Sequence, residues 1–204
     1  MDRRTITVGV AGNPNVGKSV IFNALTGSRQ HVGNWPGKTV ERAEGSFYYQ
    51  GREIRLVDLP GTYSLAAQSP EEVIARDYVL SGEPDVVVDI VDATGLERNL
   101  NLTLQILELT DQVVIALNLM DEVRRAGWEI DTERLEADLG VPVVPTVATE
   151  GEGLPELVEA IADVAEGCRQ THPVSVDYGL TIEGYTQTLQ DDLSRLGIEE
   201  RNRW

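Results

Sequence analysis

Gly12-Asn13-Pro14-Asn15-Val16-Gly17-Lys18-Ser19 follows directly on the apolar run Thr5-Ile6-Thr7-Val8-Gly9-Val10-Ala11. This is the G-x-x-x-x-G-K-[ST] pattern in the setting it requires, a strand before it and a helix after it. Its glycines let the backbone turn tightly enough for consecutive N–H groups to converge on a β-phosphate, and the helix starting near Lys18 adds the positive end of its dipole. Lys18 supplies a point charge to the β- and γ-phosphates, and the Ser19 hydroxyl is placed to ligate Mg²⁺. Gly12, Asn13, Asn15, Val16, Gly17, Lys18, Ser19 and Val20 are thereby predicted to cradle a nucleoside triphosphate.

Working outward, apolar runs alternate with helix-period segments from residue 5 to about residue 169. Six strands are expected, at residues 5–11, 41–49, 53–58, 85–92, 112–118 and 141–146. Val86-Val87-Val88-Asp89-Ile90-Val91 and Val113-Val114-Ile115-Ala116-Leu117 are nearly continuously apolar, as strands covered on both faces must be. Leu100, Leu104 and Leu107 recur at helical spacing between them, as do Leu157, Val158, Ile161 and Val164. The alternation predicts an α/β fold of the P-loop type, a mostly parallel sheet of about six strands with helices on both faces. Tyr48-Tyr49-Gln50-Gly51-Arg52 reads as a hairpin turn, so one strand pair is expected to be antiparallel. Residues 1–170 form the expected nucleotide-binding domain. His172-Pro173 then breaks the helix, and Ile182, Tyr185, Leu189, Leu193 and Leu196 mark one amphipathic helix in residues 171–204. A lone helix has no core of its own, so it either docks on the first domain or begins a second one.

The composition narrows the function classes. Of 204 residues, 41% are hydrophobic and 25% charged, ordinary for a globular chain, but the formal net charge is −17. Nucleic-acid-binding faces need clustered Lys and Arg, so no nucleic-acid partner is expected. The single cysteine, Cys168, cannot close an internal disulfide and reads as a reduced, cytosolic residue. Met1-Asp2-Arg3-Arg4 has no long apolar run behind it, so no signal peptide is expected, and no stretch reaches the length of a membrane span.

Three further motifs specify the nucleotide. Val57-Asp58-Leu59-Pro60-Gly61 ends a candidate strand, and strand C-termini line the ligand crevice in this topology. Asp58 is predicted to reach Mg²⁺ through a water and Gly61 to offer its N–H to the γ-phosphate. Asn118-Leu119-Met120-Asp121 fits the Asn-x-x-Asp base-reading pattern: the Asp121 carboxylate accepts from guanine N1–H and N2–H₂, and the Asn118 amide ties this loop to the phosphate loop. A carboxylate facing adenine loses both donors, at about 1–3 kcal/mol each, which amounts to about 10²–10⁴-fold discrimination. Val147-Ala148-Thr149 follows the last strand, with the Ala148 N–H as the expected donor to guanine O6. Met120, Val147 and Thr149 complete the predicted base contacts. Between the phosphate loop and Asp58, the segment His31-Val32-Gly33-Asn34-Trp35-Pro36-Gly37-Lys38-Thr39-Val40-Glu41 fits a switch loop that orders and disorders. Thr39 is its Mg²⁺ ligand, and Gly33, Asn34, Trp35, Pro36 and Gly37 lie beside the nucleotide, with Trp35 expected at the surface.

At this point the strings become family-specific. Asn34-Trp35-Pro36-Gly37 before Thr39, Asp58-Leu59-Pro60-Gly61-Thr62-Tyr63-Ser64-Leu65, and Asp92-Ala93-Thr94-Gly95-Leu96-Glu97-Arg98-Asn99-Leu100 together resemble the GTPase domain of the ferrous iron transport protein B family. Asn-Leu-Met-Asp, with Leu119 where most GTPases carry a lysine, is similar to it too. Val147 stands where the usual pattern has serine. The resemblance covers roughly residues 5–169 and implies GTP or GDP as ligand with Mg²⁺. It also implies a following helical domain, whose start residues 171–204 resemble, and a membrane domain carrying Fe²⁺. The chain then reads as a fragment of a longer transporter, at the cytoplasmic face of the bacterial inner membrane, with those domains as partners and a homo-oligomer possible. Asn15 matches an asparagine that in this family helps bind K⁺ together with backbone carbonyls here around Gly33–Trp35.

Thr62 stands where many GTPases place a water-orienting glutamine, and no arginine finger is evident, so slow hydrolysis is expected, with Lys18, Asn15, Thr39 and Gly61 carrying it. K⁺ beside the phosphates neutralises developing charge as an arginine finger does. With no Cys/His cluster, no iron site is expected. The competing readings are an RNA-linked GTPase of ribosome assembly or tRNA modification, which shares the Asn-Pro-Asn-Val-Gly-Lys-Ser loop but needs a basic module, a P-loop ATPase or small-molecule kinase, and a nucleotide-controlled binding module.

Overall fold

A computed structural model describes residues 5–27 and 30–195. In chain order its elements are β1 (Thr5–Gly12), α1 (Lys18–Thr26), β2 (Gln30–Asn34), β3 (Glu41–Tyr49), β4 (Arg52–Asp58), α2 (Pro70–Leu80), β5 (Val86–Asp92), α3 (Leu96–Leu109), β6 (Val113–Asn118), α4 (Met120–Arg125), α5 (Thr132–Leu139), β7 (Val143–Pro145), α6 (Leu154–Ala165) and α7 (Leu180–Arg195). They build one seven-stranded sheet in the order β2-β3-β4-β1-β5-β6-β7. Five strands, β4-β1-β5-β6-β7, run parallel, and β2 and β3 add an antiparallel edge.

Two apolar layers sandwich the sheet, as its continuous hydrophobic runs require. On one face Val8, Val10, Ile54, Leu56, Val88, Ile90 and Val114 pack against Ile21 and Phe22 of α1 and Leu157, Ile161 and Val164 of α6. On the other, Val57, Val87, Val91, Ile115 and Leu117 meet Ile74 and Tyr78 of α2 and Leu102 and Ile106 of α3. Residues of this kind, buried to within a few per cent, contribute about 1.5–3 kcal/mol each. A Cβ on Gly9 would lie 3.3 Å from the Tyr78 ring, closer than side chains usually pack.

The hairpin forms as expected, with Gln50 and Gly51 both at positive φ (48° and 79°) between β3 and β4, the two-residue turn whose twist matches the strands. The α6 face is also the expected one. In α3 the buried stripe is shifted: Leu102, Ile106 and Leu107 are buried while Leu100 and Leu104 are only partly so. A reciprocal capping box starts α2, Glu72 N–H donating to Ser69 Oγ (3.1 Å) and Ser69 N–H to the Glu72 carboxylate (3.3 Å).

Two expectations are corrected. The sheet has seven strands because residues 30–34, expected within or beside a loop, pair with β3 from Gln30↔Gly45 to Asn34↔Glu41. The open backbone groups along the outer edge of β3 recruit a segment whose own side chains all stay exposed. The final parallel strand is also short, Val143–Pro145. The C-terminal helix exists over Leu180–Arg195 and buries no side chain among the described residues; Leu196 lies outside them. The stretch before it runs along the end of α5 through His172 N–H to Gly140 O (2.8 Å) and Val174 N–H to Leu139 O (3.0 Å). Among the described residues no helix is long and apolar enough to cross a membrane.

Candidate functional site

Parallel strands deliver their C-terminal ends to one edge, and the singled-out loops after β1, β4, β6 and β7 emerge there. The phosphate loop is shaped by backbone that side chains resist. Gly12 has φ 150° and a Cβ there would sit 2.6 Å from the Ile90 carbonyl; Gly17 has φ 90° and its Cβ would sit 2.3 Å from Asn118 Nδ2. Asn15 adopts the left-handed conformation (φ 68°) without being glycine, an arrangement asparagine tolerates better than most. Gly17 O then accepts from Val20 N–H and Ile21 N–H (3.0 and 3.1 Å), opening α1. Val16 is buried, and Ser19 and Val20 are exposed.

Asn13 is 2% exposed, and neither its amide oxygen nor its nitrogen has a hydrogen-bond partner. Leaving a buried amide so costs about 1–3 kcal/mol per group, which marks this loop as built for contacts that its own chain does not supply.

Lys18 Nζ donates to Asp58 Oδ1 at 2.5 Å. The ammonium expected at the phosphates and the carboxylate expected at Mg²⁺ thus lie together. Burial pushes the Asp58 carboxyl above its ordinary range, against the Lys18 charge and hydrogen bond that pull it down. The loop after Asp58 folds onto the phosphate loop: Thr62 N–H reaches Gly12 O (3.4 Å), and a Cβ on Gly61 would lie 3.4 Å from Pro14 Cα. Thr62 itself is buried and donates its hydroxyl to Ser64 O (2.7 Å), so the side chain in the glutamine position is spent within its own loop.

The loops after β6 and β7 are held by one buried amide. Asn118, 1% exposed, donates from Nδ2 to Val16 O (2.9 Å) and accepts on Oδ1 from Thr146 Oγ1 (3.2 Å) and Ala148 N–H (3.1 Å). The predicted tie between phosphate loop and base loop is present. It extends to the loop after β7, through a threonine the sequence reading did not single out. Ala148 N–H differs from expectation: it points to Asn118 Oδ1 because that oxygen sits inside the loop. Leu119, at φ 66°, turns the chain into α4. Met120 is buried and Asp121 follows it, paired with Arg125, which also bridges Glu122; the Arg125 hydrogen bond holds the Asp121 carboxyl below the usual range. Val147 is buried, Ala148 is 7% exposed, and Thr149 is exposed.

The first switch segment is corrected most. Gly33 and Asn34 lie in β2, Pro36, Gly37 and Thr39 are exposed, and Trp35 is buried at 7% exposure rather than lying at the surface. Its ring meets Tyr78 of α2 edge-on (centroids 5.4 Å apart) and carries the Arg42 guanidinium 4.5 Å from its centroid. Such cation–π contacts contribute about 0.5–2 kcal/mol. Trp35 O accepts from Lys38 N–H and Trp35 N–H donates to Val40 O, both 2.9 Å, so the Trp35 carbonyl assigned to K⁺ is engaged in a turn. Tyr78 and Arg42 carry no local signal that would have exposed this anchor, since each belongs to a different element. Burial, then the Glu83 charge, raise the Tyr78 phenol. Among the described residues no group of three or more His, Cys, Asp or Glu gathers as a metal site, and Cys168 is exposed.

A family model described as ferrous iron transport protein B matches residues 6–161. The chain is 50% identical over 162 residues to the Fe(2+) transporter FeoB of Escherichia coli K12, covering 78% of this chain and 21% of that protein. It also resembles the cytosolic domain of the T. maritima FeoB iron transporter in apo form, with TM-score 0.91 and 44% identity over 98% of this chain and 77% of that one. The GMPPNP form of the same domain gives TM-score 0.90 at 44% identity, over 97% and 77%. This chain spans about a fifth of the length of the curated relatives it matches.

Proposed function

The chain belongs to the ferrous iron transport protein B family, and from that premise we propose that it is the guanine-nucleotide-binding, GTP-hydrolysing unit of a ferrous iron transporter. The observation that carries the proposal is Asn118: one buried amide joins the phosphate loop to both loops of the base site. That the T. maritima relative is known in a GMPPNP form supports the same ligand here.

In this reading the backbone N–H groups of the phosphate loop and the Lys18 ammonium hold the phosphates, and Asn13 Nδ2 finds an acceptor there. Ser19, Thr39 and Asp58 are the residues that hold Mg²⁺, with Lys18 released from Asp58 to the phosphates. Mg²⁺ supplies charge neutralisation on the β- and γ-oxygens. Thr39 is exposed in the switch turn, so its part requires that segment to rearrange, and Gly61, lying against Pro14, needs only a small one. Asp121 reads the guanine N1–H and N2–H₂ edge once Arg125 gives way, and Ala148 N–H serves O6 while shared with Asn118. Asn15 would hold K⁺ through its amide oxygen, and the ion would supply charge neutralisation at the phosphates.

Positioning and charge stabilisation, rather than a general base, carry phosphoryl transfer here. With Thr62 turned into its own loop, hydrolysis is slow and serves as a switch. Residues 171–204 begin a helical domain, the rest of the transporter is the partner, and the unit works at the cytoplasmic face of the inner membrane. Phosphate release from GTP measured in KCl and in NaCl, for the native chain and Asn15→Ala, tests the chemistry. Faster turnover in KCl, lost in the variant, is expected, and equal rates in both salts would remove K⁺ from the mechanism.

A further inference from the structure

The two base-site loops are joined a second time, on the solvent side. Arg124, on the last turn of α4, donates from Nη1 to Glu152 Oε2 at 2.9 Å and from Nη2 to Glu152 Oε1. This is a bidentate guanidinium–carboxylate pair, the geometry that holds two chains in a fixed mutual orientation. Both partners stand on constrained backbone. Arg124 is three residues after Asp121 in the helix that begins at the base-reading motif. Glu152 is pinned by a backbone bridge to Val147, with Val147 N–H donating to Glu152 O at 3.0 Å, directly beside Ala148. Bidentate Arg–carboxylate geometry is the circumstance in which an exposed ion pair contributes measurably. Asp121 is close enough for its charge to act on both members, and Arg124 holds the Glu152 carboxyl below its ordinary range.

We propose that Arg124 and Glu152 form a clasp over the base site that sets the rate at which bound guanine nucleotide leaves. The proposal rests on the reading of residues 118–121 and 147–149 as the guanine site. Asn118 fixes the two loops at their buried end, and the clasp fixes them at the open end; a base held between them departs only when the open end parts. Arg124 and Glu152 are positioning residues, touching the loops rather than the nucleotide. Breaking the clasp speeds departure without changing which base is recognised, because the recognising groups stay in place.

The test is the dissociation rate of a fluorescent GDP analogue, chased with excess GDP, from the 204-residue chain and from Arg124→Ala, Glu152→Ala and the exchanged pair Arg124→Glu/Glu152→Arg. Each single variant is expected to release the analogue about two- to fivefold faster, the span an ion pair of this class supports. The exchanged pair should return toward the native rate. Raising NaCl at fixed KCl should speed release from the native chain and barely change the single variants, since screening removes only an interaction that exists. A merely structural role would lower the melting temperature instead, which these exposed substitutions should leave unchanged. Native rates in both single variants, or faster release that the exchange does not reverse, would overturn the clasp. A native chain that binds ADP as well as GDP would overturn the site reading itself, and a retained GDP preference separates the two failures.

Discussion

The phosphate and base loops and the first switch segment lie in the same sheet yet are held in opposite ways. The loops are locked from inside. Gly12 and Gly17 admit no side chain, Asn118 is buried with three hydrogen bonds, and β1, β5 and β6 beneath them are covered on both faces. Residues 30–40 form an edge strand whose five residues are all exposed, and a turn; the backbone ladder to β3 holds the strand, and Trp35 is the one side chain buried in the segment. The contrast is between loops set by buried contacts and an edge segment that buries one side chain. A gripping surface must exist before its ligand arrives, so that ordering cost does not subtract from affinity. Residues 30–40, resting on the ladder to β3 and on Trp35 rather than on a buried face of their own, lack that support.

The largest effect expected from this contrast is at Asn118. Asn118→Ala leaves the Val16 carbonyl, the Thr146 hydroxyl and the Ala148 N–H without their partner, at about 1–3 kcal/mol each. Calorimetric titration with GDP should show affinity down by about a thousandfold or more, together with a lower melting temperature. Full affinity would mean that the loops are not held from inside.

Trp35→Ala strikes the other region. A Trp removed from a closed core costs about 3–5 kcal/mol, but here the loss is capped by the free energy of releasing residues 30–40. Hydrogen exchange should accelerate at least about tenfold at the Trp35 and Lys38 amides while β5 and β6 stay protected. Uniform loss of protection would show that the segment is no separate unit.

A smaller effect sharpens the distinction through pH. Asp89 is fully buried in β5 and accepts from Thr103 Oγ1 at 2.6 Å; burial pushes its carboxyl up to about 6. The folded state thus holds this proton more tightly than the unfolded chain, whose aspartates titrate near about 3.9. Its stabilising contribution is complete below about pH 4, is lost as pH rises to about 6, and is constant above that, by about 2–3 kcal/mol in all. Urea denaturation across that window should show this component in the native chain and lack it in Asp89→Asn. It belongs to the covered sheet, so exchange in residues 30–40 should not follow it.

Legibility in the sequence follows the same division. The phosphate loop is one contiguous string whose geometry is local, and the central strands declare themselves by unbroken apolar runs. The bases of recognition at residues 118–121 are legible because their spacing after Lys18 and Asp58 is informative. By contrast, Gln30-His31-Val32-Gly33-Asn34 has neither alternation nor β-branched enrichment, since its strand is made by the waiting edge of β3 rather than by its own side chains. Trp35 beside proline and glycine reads as surface, because Arg42 and Tyr78, which bury it, lie in two other elements. Arg124 and Glu152, 28 positions apart, become partners only when β6 and β7 are adjacent.

Base recognition at one edge of the sheet underlies every other proposed role. Equilibrium binding of GDP and ADP to the native chain and to Asp121→Asn tests it most directly. A GDP preference of about 10²–10⁴-fold, largely abolished in Asp121→Asn, is the result expected. Equal affinities for the two nucleotides, with the substitution changing neither, would contradict it.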